Sequence, residues 1–251
     1  MTQIRADKER FGRDGFVVIR GLVPANDLDW ICEELRTLEH PKGDRLRNGR
    51  SFAVRDVFAV SESLLSFARS DALSGLASTL LGHAARPTKA TLFDKHEDAN
   101  WSLPLHQDLT ITVQAKADVP GFGPWTEKAG VPHVRPPESI LQSIVALRIH
   151  LDDCPEENGA LYVVRASHIR GRLSSGELKL MMSAVEEEVV PAKAGDVLVM
   201  SPLLIHGSGK AKTPNRRRVL HIEYSCVDLP APLQWPIWSS HSDNAVSQIA
   251  G

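Results

Sequence analysis

The stretch NWSLPLHQDLTI, at 100–111, sets His106 two residues ahead of Asp108, and a second histidine, His206, closes the run GDVLVMSPLLIHGSGK. Two imidazoles and one carboxylate suit a mononuclear non-haem iron, because they hold the ion on one face and leave about three positions open on the other. The His-x-Asp spacing is weak by itself, since the chain repeats it at His96-Glu97-Asp98 and His241-Ser242-Asp243. Strand context separates the three. Residues i and i+2 of a strand point to one face, so a strand through LTITVQ predicts that His106 and Asp108 reach the same ion. His96 lies in the charged turn KHEDAN, and His241 lies in a polar tail with no later histidine. His206 is expected at the end of a strand that starts from the turn Gly195-Asp196. His150 and His168 are rivals by residue type, and both read better as structural, hydrogen-bonding imidazoles.

Arg217 lies eleven residues beyond His206, and Ser208 lies two beyond it, on the same expected strand face. A guanidinium fork beside a hydroxyl receives one end of a dicarboxylate. Arg216 and Arg218 flank it, but strand alternation and the spacing to Tyr224 favour Arg217. Residues 115–138 are rich in Pro and Gly and also carry Trp125, Lys128, His133 and Arg135. A connection that long inside a folded unit is commonly functional. An ordered lid is expected there, with Trp125, His133 and Arg135 as candidate substrate contacts.

The elements that must position these residues read as follows. A short strand fits Phe16 to Ile19. A helix fits NDLDWICEELRTLEH, capped by Asn26 or Asp27 and stopped by Pro41. A second fits SDALSGLASTLLG and ends at Gly82. From residue 88 the texture changes to short β-rich runs: TKATLFD, LTITVQ, SIVALRIHL, GALYVVRA, EEVVPA, DVLVMS and RRVLHIEYS. Their number and spacing indicate a mainly β sandwich or barrel with flanking helices. A single domain over 1–251 is the simplest count, with a helical and strand flank at 1–87, a β core at 88–226 and a tail at 227–251.

With 42% hydrophobic and 24% charged residues over 251 positions, the composition is that of an ordinary soluble globular chain. The three cysteines are far apart and without CxxC spacing, so reduced thiols are expected. Arg5, Asp7, Lys8, Glu9 and Arg10 interrupt any secretory signal, and a cytoplasmic location is expected. The longest apolar run is too short to span a bilayer. With 29 basic against 31 acidic residues, no nucleic-acid partner is expected.

The ordered set HQD, then GDVLVMSPLLIHGSG, then arginine at plus eleven and Tyr224 seven further on, resembles the phytanoyl-CoA dioxygenase family of iron- and 2-oxoglutarate-dependent oxygenases. FGRDGFVVIRGLVP and LDDCPEENGALYVVRASH are similar to two further segments of that family, so the resemblance covers roughly residues 10 to 226. It implies a double-stranded β-helix, a jelly-roll or cupin-like barrel. His106, Asp108 and His206 would bind Fe(II), while Arg217 and Ser208 would hold the far carboxylate of 2-oxoglutarate. Lys95, Asn100 and Trp101 either line that pocket or brace the approach to the strand, and His221 can face the barrel interior. Succinate and carbon dioxide would leave after O2 is consumed and a small-molecule substrate is oxidised. An intact Asp108 favours hydroxylation, since halogenating relatives replace the carboxylate with a small residue. Arg165 and Ala166 depart from the small turn the family more often places before Ser-His. Two other functions use the same three ligands: a zinc-dependent hydrolase, which leaves Arg217 and Ser208 without a role, and a non-catalytic barrel that binds a small acid.

Overall fold

The computed structural model describes residues 2–38, 45–47, 50–97, 99–128, 130–182, 184–212 and 215–239. In chain order the strands are β1 (Phe16–Ile19), β2 (Arg45–Arg47), β3 (Arg50–Arg55), β4 (Arg86–Lys95), β5 (Leu103–His106), β6 (Ile111–Thr112) and β7 (Trp125–Lys128). There follow β8 (Val131–Val134), β9 (Ile144–His150), β10 (Leu161–Val163), β11 (Glu188–Val190), β12 (Val197–Met200), β13 (His206–Ser208) and β14 (Arg217–Ser225). A seven-stranded sheet runs β1-β12-β9-β14-β4-β3-β2, a four-stranded sheet β11-β10-β13-β5, and a three-stranded sheet β6-β8-β7. All pairings are antiparallel. The expected class, mainly β with flanking helices in the double-stranded β-helix manner, is what is found.

The two faces of the large sheet differ in chemistry, and the alternation of side chains along each strand separates them. Leu147, Ile149, Val197, Val199, Leu220 and Ile222 join one buried apolar cluster with Ile31 and Leu35 of helix Ala25–Thr37, Leu64 of Glu62–Ala68 and Leu73 and Leu80 of Asp71–Leu81. Tyr224 belongs to the same cluster and donates its hydroxyl to the Ala68 carbonyl at 2.8 Å. The alternate positions, Lys89 and Lys95 on β4, Arg148 and His150 on β9, and Arg217, His221 and Glu223 on β14, turn to the opposite face.

The runs at 88, 143, 159, 187, 196 and 217 all contain strands. Helix Asp71–Leu81 ends where expected, on Gly82 with φ of 82°, a left-handed conformation that costs glycine little. Helix Ala25–Thr37 starts earlier than expected: Pro24 occupies the cap position without a side-chain bond, and Asp27 instead accepts from Trp30 Nε1 at 3.2 Å. Pro41 and His241 lie outside the described residues.

Two expectations are corrected. LTITVQ pairs as a strand only at Ile111–Thr112, and Asp108 precedes it in a connection. VLVMSPLLIH is two strands, because proline lacks the donor a ladder needs; β12 stops at Met200, just before Ser201-Pro202, and the chain crosses to β13 in the other sheet. The 115–138 segment is ordered as expected over its described residues and contains the β7-β8 hairpin, with Gly130 at φ of 77° between the strands. Helix Thr2–Asp14 and strands β2 and β3 were not anticipated. Ala166 adopts φ of 59°, and Arg165 beside it pairs with Asp14 and Glu188. Among the described residues no helix is long and apolar enough to cross a membrane, and the three cysteines are unpaired.

Candidate metal and co-substrate site

His106 ends β5 and His206 opens β13, and the two are directly paired across the four-stranded sheet. Their rings lie 4.3 Å apart between centroids. Asp108 is brought in by its backbone, whose N–H donates to the Pro202 carbonyl at 2.9 Å. The residue between them is the anchor that sequence reasoning missed. Gln107 is buried and donates to the carbonyls of Gly171 at 2.9 Å and Leu203 at 2.7 Å, while its own oxygen accepts from Leu173 N–H at 2.9 Å. Ser167 accepts from the N–H of Ile205 at 2.8 Å and so fixes the approach to His206. Groups that orient ligands without touching the ion typically carry 10–100-fold in metal affinity. Gln107→Leu is therefore expected to lose roughly 10-fold or more in iron affinity, measured by metal titration, while circular dichroism stays native.

The protonation pattern is that of a ligand set. His106 Nδ1 donates to the Pro104 carbonyl at 2.9 Å and His206 Nδ1 to the Leu204 carbonyl at 3.0 Å. A carbonyl only accepts, so Nδ1 carries a proton in each ring and each Nε2 offers a lone pair in the neutral imidazole; burial opposes the charged form of His106, but Asp108 beside it raises its pKa above the ordinary imidazole value. Those Nε2 atoms lie 3.6 Å from Asp108 Oδ1 and 3.6 Å from Asp108 Oδ2 respectively. One candidate ligand atom from each residue falls within 4.8 Å of the others, the one such group among the described residues. Burial pushes His206 down to about 4, against the pull of Asp108, so it is neutral at physiological pH. Burial opposes ionisation of Asp108, but the two imidazoles hold it well below the usual carboxylate range. The donor set therefore fits a ferrous ion.

Beyond the triad lies a chamber of buried cations. Arg217 faces Lys95 across β14 and β4. Lys95 Nζ donates to Ser208 Oγ at 3.1 Å and the Gly209 carbonyl at 3.2 Å, and lies 4.9 Å from the centre of the Trp101 ring. Arg217 donates to the Gly159 carbonyl and lies 3.6 Å from Cys154 Sγ. Gly159 has φ of 69°, and a Cβ there would come within 2.9 Å of the Gly209 carbonyl, so the Asn-Gly turn requires glycine. Arg148, on β9, bonds His221. Among the described residues none of these three cations has a carboxylate partner. Burial, reinforced by Arg217 and Arg148, pushes Lys95 down to about 7. Buried uncompensated charges cost several kcal/mol each, a cost that a bound dianion would offset.

The two flanking arginines have carboxylate partners of their own. Arg216 pairs with Asp94 at 2.8 Å and Arg218 with Asp152 at 2.7 Å, leaving Arg217 to the chamber. Asn100 acts as a brace for the loop after β13, because its amide donates to the Ala211 carbonyl at 2.9 Å and accepts from the Ala211 N–H at 2.8 Å. His168 contacts the Gly12 carbonyl at 3.1 Å, and burial with two nearby guanidinium groups pushes His150 down to about 3; neither joins the triad. On the hairpin, Trp125 packs against the apolar cluster of Ile111, Val134 and Leu203. His133 is buried with Nδ1 on the Val131 carbonyl at 3.0 Å, and Arg135 Nε is buried without a partner.

The sequence profile of the phytanoyl-CoA dioxygenase family matches residues 11–219. An L-proline trans-4-hydroxylase of Streptomyces griseoviridis is 27% identical over 277 residues, which cover 96% of this chain and 94% of that protein. Two solved structures share the fold. AviO1 of Streptomyces viridochromogenes has a TM-score of 0.66 at 23% identity, covering 90% of this chain and 96% of that one. The non-haem α-ketoglutarate-dependent epimerase SnoN of nogalamycin biosynthesis has a TM-score of 0.65 at 20% identity, covering 89% and 81%. With its triad, its cation chamber and a profile match over most of its length, the chain belongs to the phytanoyl-CoA dioxygenase family and is an iron(II)- and 2-oxoglutarate-dependent dioxygenase.

Proposed function

We propose that the chain hydroxylates a small, anionic molecule, with His106, Asp108 and His206 holding the iron and Lys95, Ser208 and Arg217 holding the distal carboxylate of 2-oxoglutarate. The observation that carries the assignment is the convergence of two Nε2 atoms and one ionised carboxylate beside cations that have no protein anion of their own among the described residues. Bound iron with 2-oxoglutarate and O2 supplies an oxidative decarboxylation to succinate and carbon dioxide that is coupled to oxidation of a C–H bond. The protein's part is orientation. Gln107 fixes the spacing of the ligands, and Pro104 and Leu204 set the imidazole tautomers. Asp108 would fill the coordination position that a halide needs, which supports hydroxylation over halide transfer.

The mouth of the site supports the substrate class. Arg55 on β3 lies opposite Thr91 of β4, on the same face as Lys89. Thr112 next to the hairpin donates to the Thr88 carbonyl at 3.2 Å, tying that small sheet to β4. Lys128 of the hairpin is half-buried, and burial and the nearby charges of Lys89 and Arg55 hold it below the usual lysine range, against Asp108 and Glu223. Lys89 is paired with Glu223 at 2.5 Å, so Arg55, Lys89 and Lys128 leave one cation in excess of Asp108 and Glu223; that excess suits a carboxylate on the substrate, and the similarity to an L-proline hydroxylase points to amino-acid-sized molecules. The test is to add ferrous ion and 2-oxoglutarate without oxygen and record the visible charge-transfer absorption. Retention of zinc with no such band would favour the hydrolase. With the band established, succinate release is screened against small carboxylic and amino acids, with neutral analogues expected to be inert; turnover of neutral analogues alone would overturn the substrate class.

A further inference from the structure

Helix Glu138–Gln142 follows the β7-β8 hairpin, and its first residue turns a carboxylate toward the loop after the short 3-10 helix Ser167–Arg170. Glu138 Oε2 accepts from the Arg172 N–H at 2.9 Å, and Oε1 accepts from Gln142 Nε2 at 3.0 Å. The packing is close, since a Cβ on Gly171 would lie 2.5 Å from Oε1 and 2.7 Å from Oε2. A second contact joins the same loop to the exit of the hairpin, where Arg172 Nη1 lies 3.4 Å from the Pro136 carbonyl.

The other side of that loop is taken by Gln107. Its Nε2 donates to the Gly171 carbonyl at 2.9 Å, and its Oε1 accepts from the Leu173 N–H at 2.9 Å. The Gly171 carbonyl and the Arg172 N–H belong to one trans peptide group, which points the two in opposite directions. One rigid plane is therefore gripped at both ends, by Gln107 on the carbonyl and by Glu138 on the N–H. Turning the plane about its flanking bonds would lose both hydrogen bonds together. A carboxylate acceptor makes the stronger of the two. The path of contacts runs from Glu138 through this peptide to Gln107, which lies between His106 and Asp108 in the chain. Glu138 acts on the triad at a distance, because its own bonds go to Arg172 and Gln142.

We infer that Glu138 is a positioning residue for the metal ligands: it holds the Gly171–Arg172 peptide in the orientation that Gln107 needs, and Gln107 in turn sets how His106 and Asp108 lie against His206. The inference rests on the iron-ligand reading above, and the experiment keeps the two apart. Iron affinity is measured by metal titration, and the visible charge-transfer band of the ferrous protein with 2-oxoglutarate is recorded without oxygen. Glu138→Ala is expected to weaken iron about 3- to 10-fold, at or below the 10–100-fold typical of groups one step from a metal, and to shift the band. Glu138→Gln keeps an acceptor oxygen and should recover part of both. In a Gln107→Leu background, Glu138→Ala should add less than about 2-fold, because residues that act through one another are not additive. Arg172→Ala keeps its backbone N–H and is expected to bind iron as the wild type does. Full additivity in the double variant would overturn the inference. So would wild-type iron affinity with an unshifted band in Glu138→Ala, whatever its Tm, which would leave Glu138 a stabilising contact. A loss in Arg172→Ala equal to that in Glu138→Ala would assign the effect to general tethering of the loop and overturn it as well. Unchanged iron binding in His106→Ala would instead overturn the ligand reading itself.

Discussion

Asp108→Ala is expected to leave a folded protein that retains little iron and turns over 2-oxoglutarate at least ~100-fold more slowly than wild type. The lower bound follows from groups one step removed from a metal, whose loss already costs 10–100-fold. Asp108 is the only anion in the triad, and its two oxygens face one imidazole each at 3.6 Å. Without it, two neutral imidazoles must hold a divalent ion in a chamber that already contains Lys95, Arg148 and Arg217. Burial of His206 leaves it neutral with or without the carboxylate, so no compensating charge arises. Iron content by colorimetric assay and succinate release give the two readouts. The fold should survive, because Asp108 is held in place by its backbone bond to Pro202 and by the three bonds of Gln107, none of which uses its side chain. Near-wild-type iron content and turnover would remove Asp108 from the ligand set.

Much of this was legible from residue types and spacing. His106, Asp108 and His206 converge as read, and Lys95, Ser208 and Arg217 gather in the adjoining chamber. The reasoning that linked His106 to Asp108 was nevertheless wrong in its geometry. They do not share a strand face; a histidine at a strand end and an aspartate in the following connection meet because Gln107 turns into the protein between them. That anchor needs partners 64 to 96 residues away, which no local pattern reveals. Pro202 could have been read as the end of β12, since proline rarely continues a central strand. Arg148, His221 and Glu223 did leave a signal. In VALRIHL and RVLHIEY, charged or polar residues recur every second position within otherwise apolar runs, the mark of a sheet with one face on a core and the other on a polar interior. Asn100 had two roles open to it, and its bonds to Ala211 support the bracing one; that partner belongs to a loop that only the pairing of β5 with β13 brings near.

Lys95→Met is expected to stabilise the ligand-free protein and to weaken its co-substrate binding, with opposite dependences that a single pH series exposes. Lys95 is buried, and its amine is pushed down to about 7 by burial and by Arg217 and Arg148, against an ordinary 10.5 in the unfolded chain. Between those two values the unfolded state binds the proton and the folded state does not, so the contribution of Lys95 to stability improves as pH rises from about 7 toward 10.5. Below that window both states are protonated, and the folded protein bears the full penalty of a buried charge. Methionine fills similar space without the charge. Its gain should therefore be largest below neutral pH, on the order of a few degrees in Tm given about 2–4 °C per kcal/mol for a chain of this size, and should fade in alkali. Binding runs the other way. A dianion favours the protonated amine, so wild-type affinity for 2-oxoglutarate should fall as pH rises above about 7, whereas Lys95→Met should bind about 10-fold or more weakly and show a flatter pH profile. Thermal denaturation with and without 2-oxoglutarate across that range measures both. Equal pH dependence of co-substrate binding in the two proteins would take Lys95 out of the chamber's chemistry and leave it a structural partner of Ser208 and Trp101.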